Sequence, residues 1–406
     1  MHDYLFSIEV VRFAFVAGIV VSMVLYERRH VTTGSIVVPG YIAIFLIQPL
    51  VLLATAANAM VSYLIVNKVL PRWFLLYGRT KFAVLVGIST LIQAVMLQVS
   101  PAGSHLWESS VPLFVGAGYV VPALIAHDMA RQGLKKTLVA VAVAGACVAI
   151  PILAALALGL EGMNELAPLV GFGVSSIAPA WVPIAVLLSV GAAWGLNHNH
   201  GLRSGGFVGA AYLGMLTAAP VQVVYMLAVG FLTYLIVTKL LMPWMILFGR
   251  RKFATMLLLS SVLSWAGMLA GERMLGLELS FYMTLSSVAL LPLFLPGLVA
   301  NDMERVGPLR VLSGVSIGGL FVVPSTWVVQ DLIEHGVVSA PFVSVAFVAG
   351  AIVYSKQIRW IGQTVCDWLG IGAPTPAKAP VKSAPGRHIA QPAPAMAEHE
   401  DASLVA

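Results

Sequence analysis

Charged side chains are scarce in this sequence. Only 10% of its 406 residues carry charge, against 59% that are apolar, and mean hydropathy is +0.93. A soluble domain carries about 25% charged residues, so a water-facing globular fold is excluded. Cysteine is nearly absent too. Cys147 and Cys366 are the two present, and their spacing suits neither a metal site nor a redox pair, so both read as small apolar side chains. Also missing are a G-x-x-x-x-G-K-[ST] phosphate loop, a carboxylate cluster for Mg²⁺, and a Ser-His-Asp arrangement. No independent catalytic chemistry, cofactor or metal is therefore expected. The formal net charge of +6 reads as cationic loops at one membrane face, with no nucleic-acid partner.

The apolar segments run continuously without alternating, which disfavours a β-barrel and predicts an all-α, polytopic transmembrane helical bundle. Spans are expected at 8–26, 36–48, 50–70, 83–99, 110–126 and 137–160, then at 169–195, 206–218, 220–241, 255–271, 283–299 and 310–329, with a last one near 340–357. That makes about 12–13 spans. The first run carries Glu9 and Arg12 and has no A-x-A cleavage signal, so it reads as a retained helix. The second span of each set is short, and Pro39, Gly40 and Pro49 interrupt or bound the first of these. Such segments read as broken or re-entrant helices, tolerated at membrane depth where buried in protein or lining a wet cavity.

The sequence is also duplicated. YLIVNKVLPRWFLLYGRTKFA (63–83) recurs as YLIVTKLLMPWMILFGRRKFA (234–254), with 13 of 21 positions identical and no gap. Core packing repeats apolar character, whereas Gly78-Arg79-Thr80-Lys81 and Gly249-Arg250-Arg251-Lys252 repeat a polar string. Those cations either set topology by snorkelling at the interface or capture an anion. A second repeated patch pairs GSIVVPGY (34–41) with GGFVGAAY (205–212), keeping Tyr41 and Tyr212 but replacing Pro39 and Gly40 with Ala210 and Ala211. It is either a helix-packing kink or backbone exposed to a ligand. The third pairs VPALIAHDMARQG (121–133) with LPGLVANDMERVG (295–307). There Asp128 and Arg131, and Asp302 and Arg305, stand three apart and can meet on one helical face, with His127 and Asn301 at matching positions.

If all thirteen spans cross, the basic loop residues, among them Arg79, Lys81, Arg131, Arg203, Arg250 to Lys252 and Arg305, share one face. Glu161, Glu165, Glu272, Glu278, Asp331 and Glu334 share the other, with Arg273 the main exception. The positive-inside tendency makes the basic face cytoplasmic, placing the N-terminus outside and the C-terminal tail inside. Two parallel repeats follow, at 1–160 and 169–330, with an extra C-terminal helix at 338–372 and an Ala/Pro-rich disordered tail at 373–406.

In order and twice over, these motifs resemble the PgsC/CapC membrane subunit of bacterial poly-γ-glutamate synthase, a family usually built from a single unit. Glu27 fits that pattern, while the second copy has His198 there and lacks the Pro-Gly. The resemblance implies a capsule or extracellular polymer made with a cytoplasmic ATP-dependent amide ligase and other capsule-complex subunits, at the bacterial inner membrane. A polyanion leaving the cell needs a cationic entrance and a protein-lined path across the lipid bilayer. Arg79, Lys81, Arg250, Arg251 and Lys252 are candidates for that entrance, with Arg131 and Arg305 as further anion or partner contacts. Pro39, Gly40, Tyr41, Tyr212, Asp128, Asn301 and Asp302 are candidates for lining the path or shaping it. The alternatives are a secondary transporter for a small organic anion and a scaffold that only anchors the ligase.

Overall fold

The computed structural model describes residues 8–45, 49–76, 78–99, 120–157, 177, 181–215, 220–275, 291–336 and 339–369. The tail at 373–406, the acidic positions Glu161, Glu165 and Glu278, and the side chains of Glu272 and Arg273 lie outside the described residues. Among the described residues the regular structure is helix, with short connecting loops. In the first copy these are α1 (Ile8–Arg29), α2 (Val38–Ile44), α3 (Pro49–Leu64), α4 (Gly78–Val99), α5 (Val121–Gln132) and α6 (Leu134–Ala157). The second copy repeats them as α7 (Val182–His200), α8 (Gly209–Met215), α9 (Pro220–Leu235), α11 (Gly249–Leu275), α12 (Leu291–Val306) and α13 (Pro308–Glu334). A single turn, α10 (Met242–Trp244), precedes α11, and α14 (Ala340–Val353) and α15 (Ser355–Leu369) follow α13. The region read from sequence as one last helix therefore forms two.

Six described helices are long and apolar enough to cross a bilayer, three in each copy at matching places. They are Pro49–Arg72, Gly78–Met96 and Leu134–Ala154, then Pro220–Trp244, Gly249–Gly271 and Pro308–Glu334. Ala340–Val353 and Ser355–Thr364 meet the same criterion only when joined. The short elements behave as the Pro and Gly pattern predicts. α2 has 7 residues, and at 1.5 Å per residue it reaches roughly 10 Å, a third of the hydrocarbon thickness. α5 has 12 and falls short as well. After α3 and after α9 the backbone widens into a π turn over Ile65–Val69 and Ile236–Leu241, so even this local irregularity is duplicated.

α2 is buried along its whole length. It lies so close to α1 that a Cβ on Gly18 would collide with the backbone of Gly40, and one on Gly40 would sit 2.9 Å from Phe15 Cα. Gly40 thus permits close helix packing, the membrane use of small residues. In the second copy the matching positions are Ser189 and Ala211, and a hydrogen bond replaces the bare contact, with Ala211 N–H donating to Ser189 Oγ at 3.1 Å. The copies also share one core. Tyr41 packs edge-on against Phe15 at 6.3 Å, Phe15 lies 6.1 Å from Phe294, and Phe294 lies 6.4 Å from Tyr212. Tyr41 and Tyr212 are thus buried in an aromatic row joining the halves. Residues up to Lys356 form one compact unit, and a second begins at Gln357, within α15.

Candidate functional site

The Gly-Arg-x-Lys strings open α4 and α11. Gly78 and Gly249 have φ of 57° and 59°, a left-handed conformation that glycine adopts freely, and each turns the chain into its helix with the arginine in the first turn. Cations there oppose the helix macrodipole, so helix stability does not explain them. Contacts across the copies do. Arg79 belongs to the first copy, yet its Nη1 donates to Asn197 Oδ1 at 3.0 Å and its guanidinium lies 5.2 Å from the Phe207 ring, both in the second. Arg250 belongs to the second, and its guanidinium sits 4.9 Å from the Tyr26 ring in the first. Each arginine therefore meets a side chain near the C-terminal end of the other copy's first helix, where positive charge is favoured.

These contacts form one connected belt. Phe82, three residues after Arg79, lies 5.3 Å from His127 and 5.5 Å from Phe207. His127 adjoins Asp128, whose charge reaches Arg250. Both arginine motifs consequently share one end of the bundle, which is also where α1, α5, α7 and α12 finish. This is the arrangement parallel repeats require. Thr80 and Arg251 are the exposed, matching positions within the two strings. With Cys147 and Cys366 replaced by Ala, Thr80→Cys and Arg251→Cys are expected to react with a membrane-impermeant maleimide from the same side. Labelling from opposite sides would refute the shared end.

Around the arginines lie ion pairs of unequal weight. Asp302 is buried and accepts from Arg203 Nη1 at 2.9 Å on Oδ1 and from Gly206 N–H at 2.9 Å on Oδ2. Removing one partner of such a buried pair costs about 3–5 kcal/mol. Lys252 Nζ reaches Glu304 at 2.7 Å, with both side chains largely covered. Arg251 Nε meets Glu27 Oε1 at 2.6 Å, and this bond holds the Glu27 carboxyl below its usual range. That pair is exposed, and solvent screens it. Burial keeps the His127 imidazole below its ordinary value of 6.5, with Asp128 opposing the shift and Arg131 and Lys81 adding to it.

Of the residues expected at the site, Arg79, Lys81, Arg250, Arg251, Lys252, Asp128, Asp302 and Asn301 gather at this end, while Arg131 and Arg305 are exposed at its rim. Pro39, Gly40, Tyr41 and Tyr212 are buried in the packing described above. The expected Asp302–Arg305 contact is not the one formed. Asp302 faces inward to the loop carrying Arg203, and Arg305 in the last turn of α12 faces out. Tyr26, Asn197, Arg203 and Phe207 were not singled out by the sequence as site residues. They matter through contacts with the opposite copy, and aligning a repeat to itself carries no signal for that. Within α1, Arg12 is buried and donates to Met268 Sδ at 3.5 Å.

A family model described as "Capsule biosynthesis CapC" matches this chain twice, over residues 17–138 and 184–312. A capsule biosynthesis protein CapC of Bacillus anthracis is 34% identical over 132 residues, covering 31% of this chain and 81% of that protein. A PGA biosynthesis protein CapC of Bacillus subtilis (strain 168) is 32% identical over 127 residues, covering 30% of this chain and 80% of that protein. No solved structure matches the chain.

Proposed function

Since the chain belongs to the capsule biosynthesis CapC family, we propose that it is the membrane subunit of a poly-γ-glutamate synthesis and export complex. In this reading it works beside a cytoplasmic ATP-dependent amide ligase and other capsule subunits in the bacterial inner membrane, with the arginine end of the bundle facing the cytoplasm. The observation that carries the reading is the belt of cations at one end of an apolar bundle. Arg79 and Arg250 each reach across the duplication, and Lys81, Arg251 and Lys252 stand beside them. The name of the Bacillus subtilis relative supports the polymer, and the charge pattern supports an acidic one, because a clustered positive end concentrates polyanions from solution. Ligation chemistry belongs to the partner. This chain collects the growing carboxylate-rich product and passes it through the bundle, where bare carboxylates need a protein-lined route.

Co-expression with the candidate ligase, followed by assay of extracellular γ-linked polyglutamate, tests this. Polymer outside the cell is expected only when both chains are present. A ligase that makes and secretes normal polymer without this chain overturns both the conduit and the activator role.

A further inference from the structure

α14 lies beyond both segments that match the family, and it has no counterpart among the described residues of the first copy. It returns along α13 and ends against the last turn of α7. There Asn199 Nδ2 donates to Val353 O at 2.6 Å, and His200 Nε2 donates to Ile352 O at 2.7 Å. Small residues bring these helices close: a Cβ on Gly350 would stand 3.1 Å from the Phe321 ring, and one on Gly195 would stand 2.8 Å from Val353 Cγ1. Elsewhere along the pair a groove of about 290 Å³ opens. Ile317 and Leu320 of α13 form one wall, Val345, Val348 and Ile352 of α14 the other, and Ser344 is the polar side chain among them.

An apolar cavity of about 150 Å³ holds benzene, so this groove has room for roughly a dozen carbons. From Ser344 to Ile352 it follows α14 for roughly 12 Å. Leu320, Val345, Val348 and Ile352 are exposed, and α13 is one of the helices long and apolar enough to cross a bilayer. At that depth the surrounding medium is acyl chain. The sequence at 373–406 has no aromatic residue and few large apolar ones, so it is a poor competitor for the groove.

The Ile352 end is polar. Ser355 Oγ lies 3.3 Å from His200 Nε2, and Lys356 Nζ donates to His198 O at 3.4 Å. An ammonium has three donors, and exposed Lys356 commits one of them to a long bond. Four residues separate Ile352 from Lys356, so a hydrocarbon slot and a cation adjoin. Basic pockets between spanning helices bind anionic lipid headgroups in this way.

We propose that the groove between α13 and α14 binds one anionic phospholipid. An acyl chain lies between Leu320 and Val348, and the phosphate takes Lys356 and Ser355. The site does not rest on the polymer reading. It places a headgroup beside the last turn of α7, where Asn197 meets Arg79.

The test uses the full chain, delipidated in detergent, and native mass spectrometry with three probes. These are phosphatidylglycerol and phosphatidylcholine with identical acyl chains, and inorganic phosphate. Phosphatidylglycerol is expected to bind at least tenfold tighter than phosphatidylcholine, and excess inorganic phosphate is expected not to displace it. Lys356→Gln brings phosphatidylglycerol down to the phosphatidylcholine level. Val348→Trp fills the groove and weakens both lipids at least tenfold, and Leu320→Trp does the same from the opposite wall. Whichever of these two keeps the wild-type Tm separates loss of the site from loss of fold. Val143→Trp, at an exposed position of α6, changes neither affinity, which distinguishes this site from the lipid that coats any spanning helix. Equal affinity for the two lipids overturns the proposal, as does displacement by inorganic phosphate. So do equal effects of the α6 and groove variants, or unchanged binding after substitution of both walls.

Discussion

Exchanging Arg79 and Arg250 together for Gln is expected to cut extracellular polymer more than tenfold while leaving the protein in the membrane. Each guanidinium makes the contact that ties its own copy to the other: Arg79 to Asn197 and Phe207, Arg250 to Tyr26. A hydrogen bond to a charged group contributes about 1.5–3 kcal/mol, and a cation over an aromatic face about 0.5–2 kcal/mol. Either figure compares with the ~1.4 kcal/mol that makes a tenfold change in an equilibrium, here the one that holds the two copies together, and the double variant removes both contacts. Lysine should rescue only in part, since it keeps the charge but not the planar fork that bonds an amide and stacks on a ring. The measurement is secreted γ-linked polymer per unit of membrane-inserted protein. Undiminished polymer from the double Gln variant would remove the entrance role.

A second large effect is expected at the contact between α1 and α2. Gly40→Ala places a methyl group 2.9 Å from Phe15 Cα and 3.1 Å from Ala14 O, both backbone atoms that cannot swing aside. Overpacking of this kind costs about 1–3 kcal/mol, and Gly40→Leu should leave no monodisperse protein in detergent. The second copy supplies the internal control. Ala211 already carries a Cβ at the equivalent place, so Ala211→Gly is expected to be mild by comparison. Size-exclusion profiles and thermal unfolding of the three variants decide it. An unchanged Tm in Gly40→Leu would show that the close approach is not part of the folded state.

Much of this was legible before any coordinates. The Gly-Arg-x-Lys strings, repeated at a fixed offset, stood out as more than core packing, but the spans expected after them open at 83 and 255, whereas the helices begin at Gly78 and Gly249 themselves. Pro39 and Gly40 announced an element too short to cross, and α2 is one. Other signals were ambiguous. The spacing of Asp302 and Arg305 permitted a local ion pair, yet Arg203, ninety-nine positions away, took the carboxylate, since burial on the inner face of α12 outweighed proximity along the helix.

The sequence by itself determined the solvent, the duplication and the family. Hydrocarbon content, a repeated polar string and ordered motifs are properties of the chain read in one dimension, and folding does not alter them. Only the tertiary structure decided that each arginine serves the opposite copy, that Tyr41 and Tyr212 are joined through Phe15 and Phe294, and that Asp302 pairs with Arg203. The physical reason is that burial and pairing of a charge depend on which surfaces meet. In two interlocked copies, those surfaces can come from residues far apart in the chain, as Arg79 and Asn197 do at 118 positions.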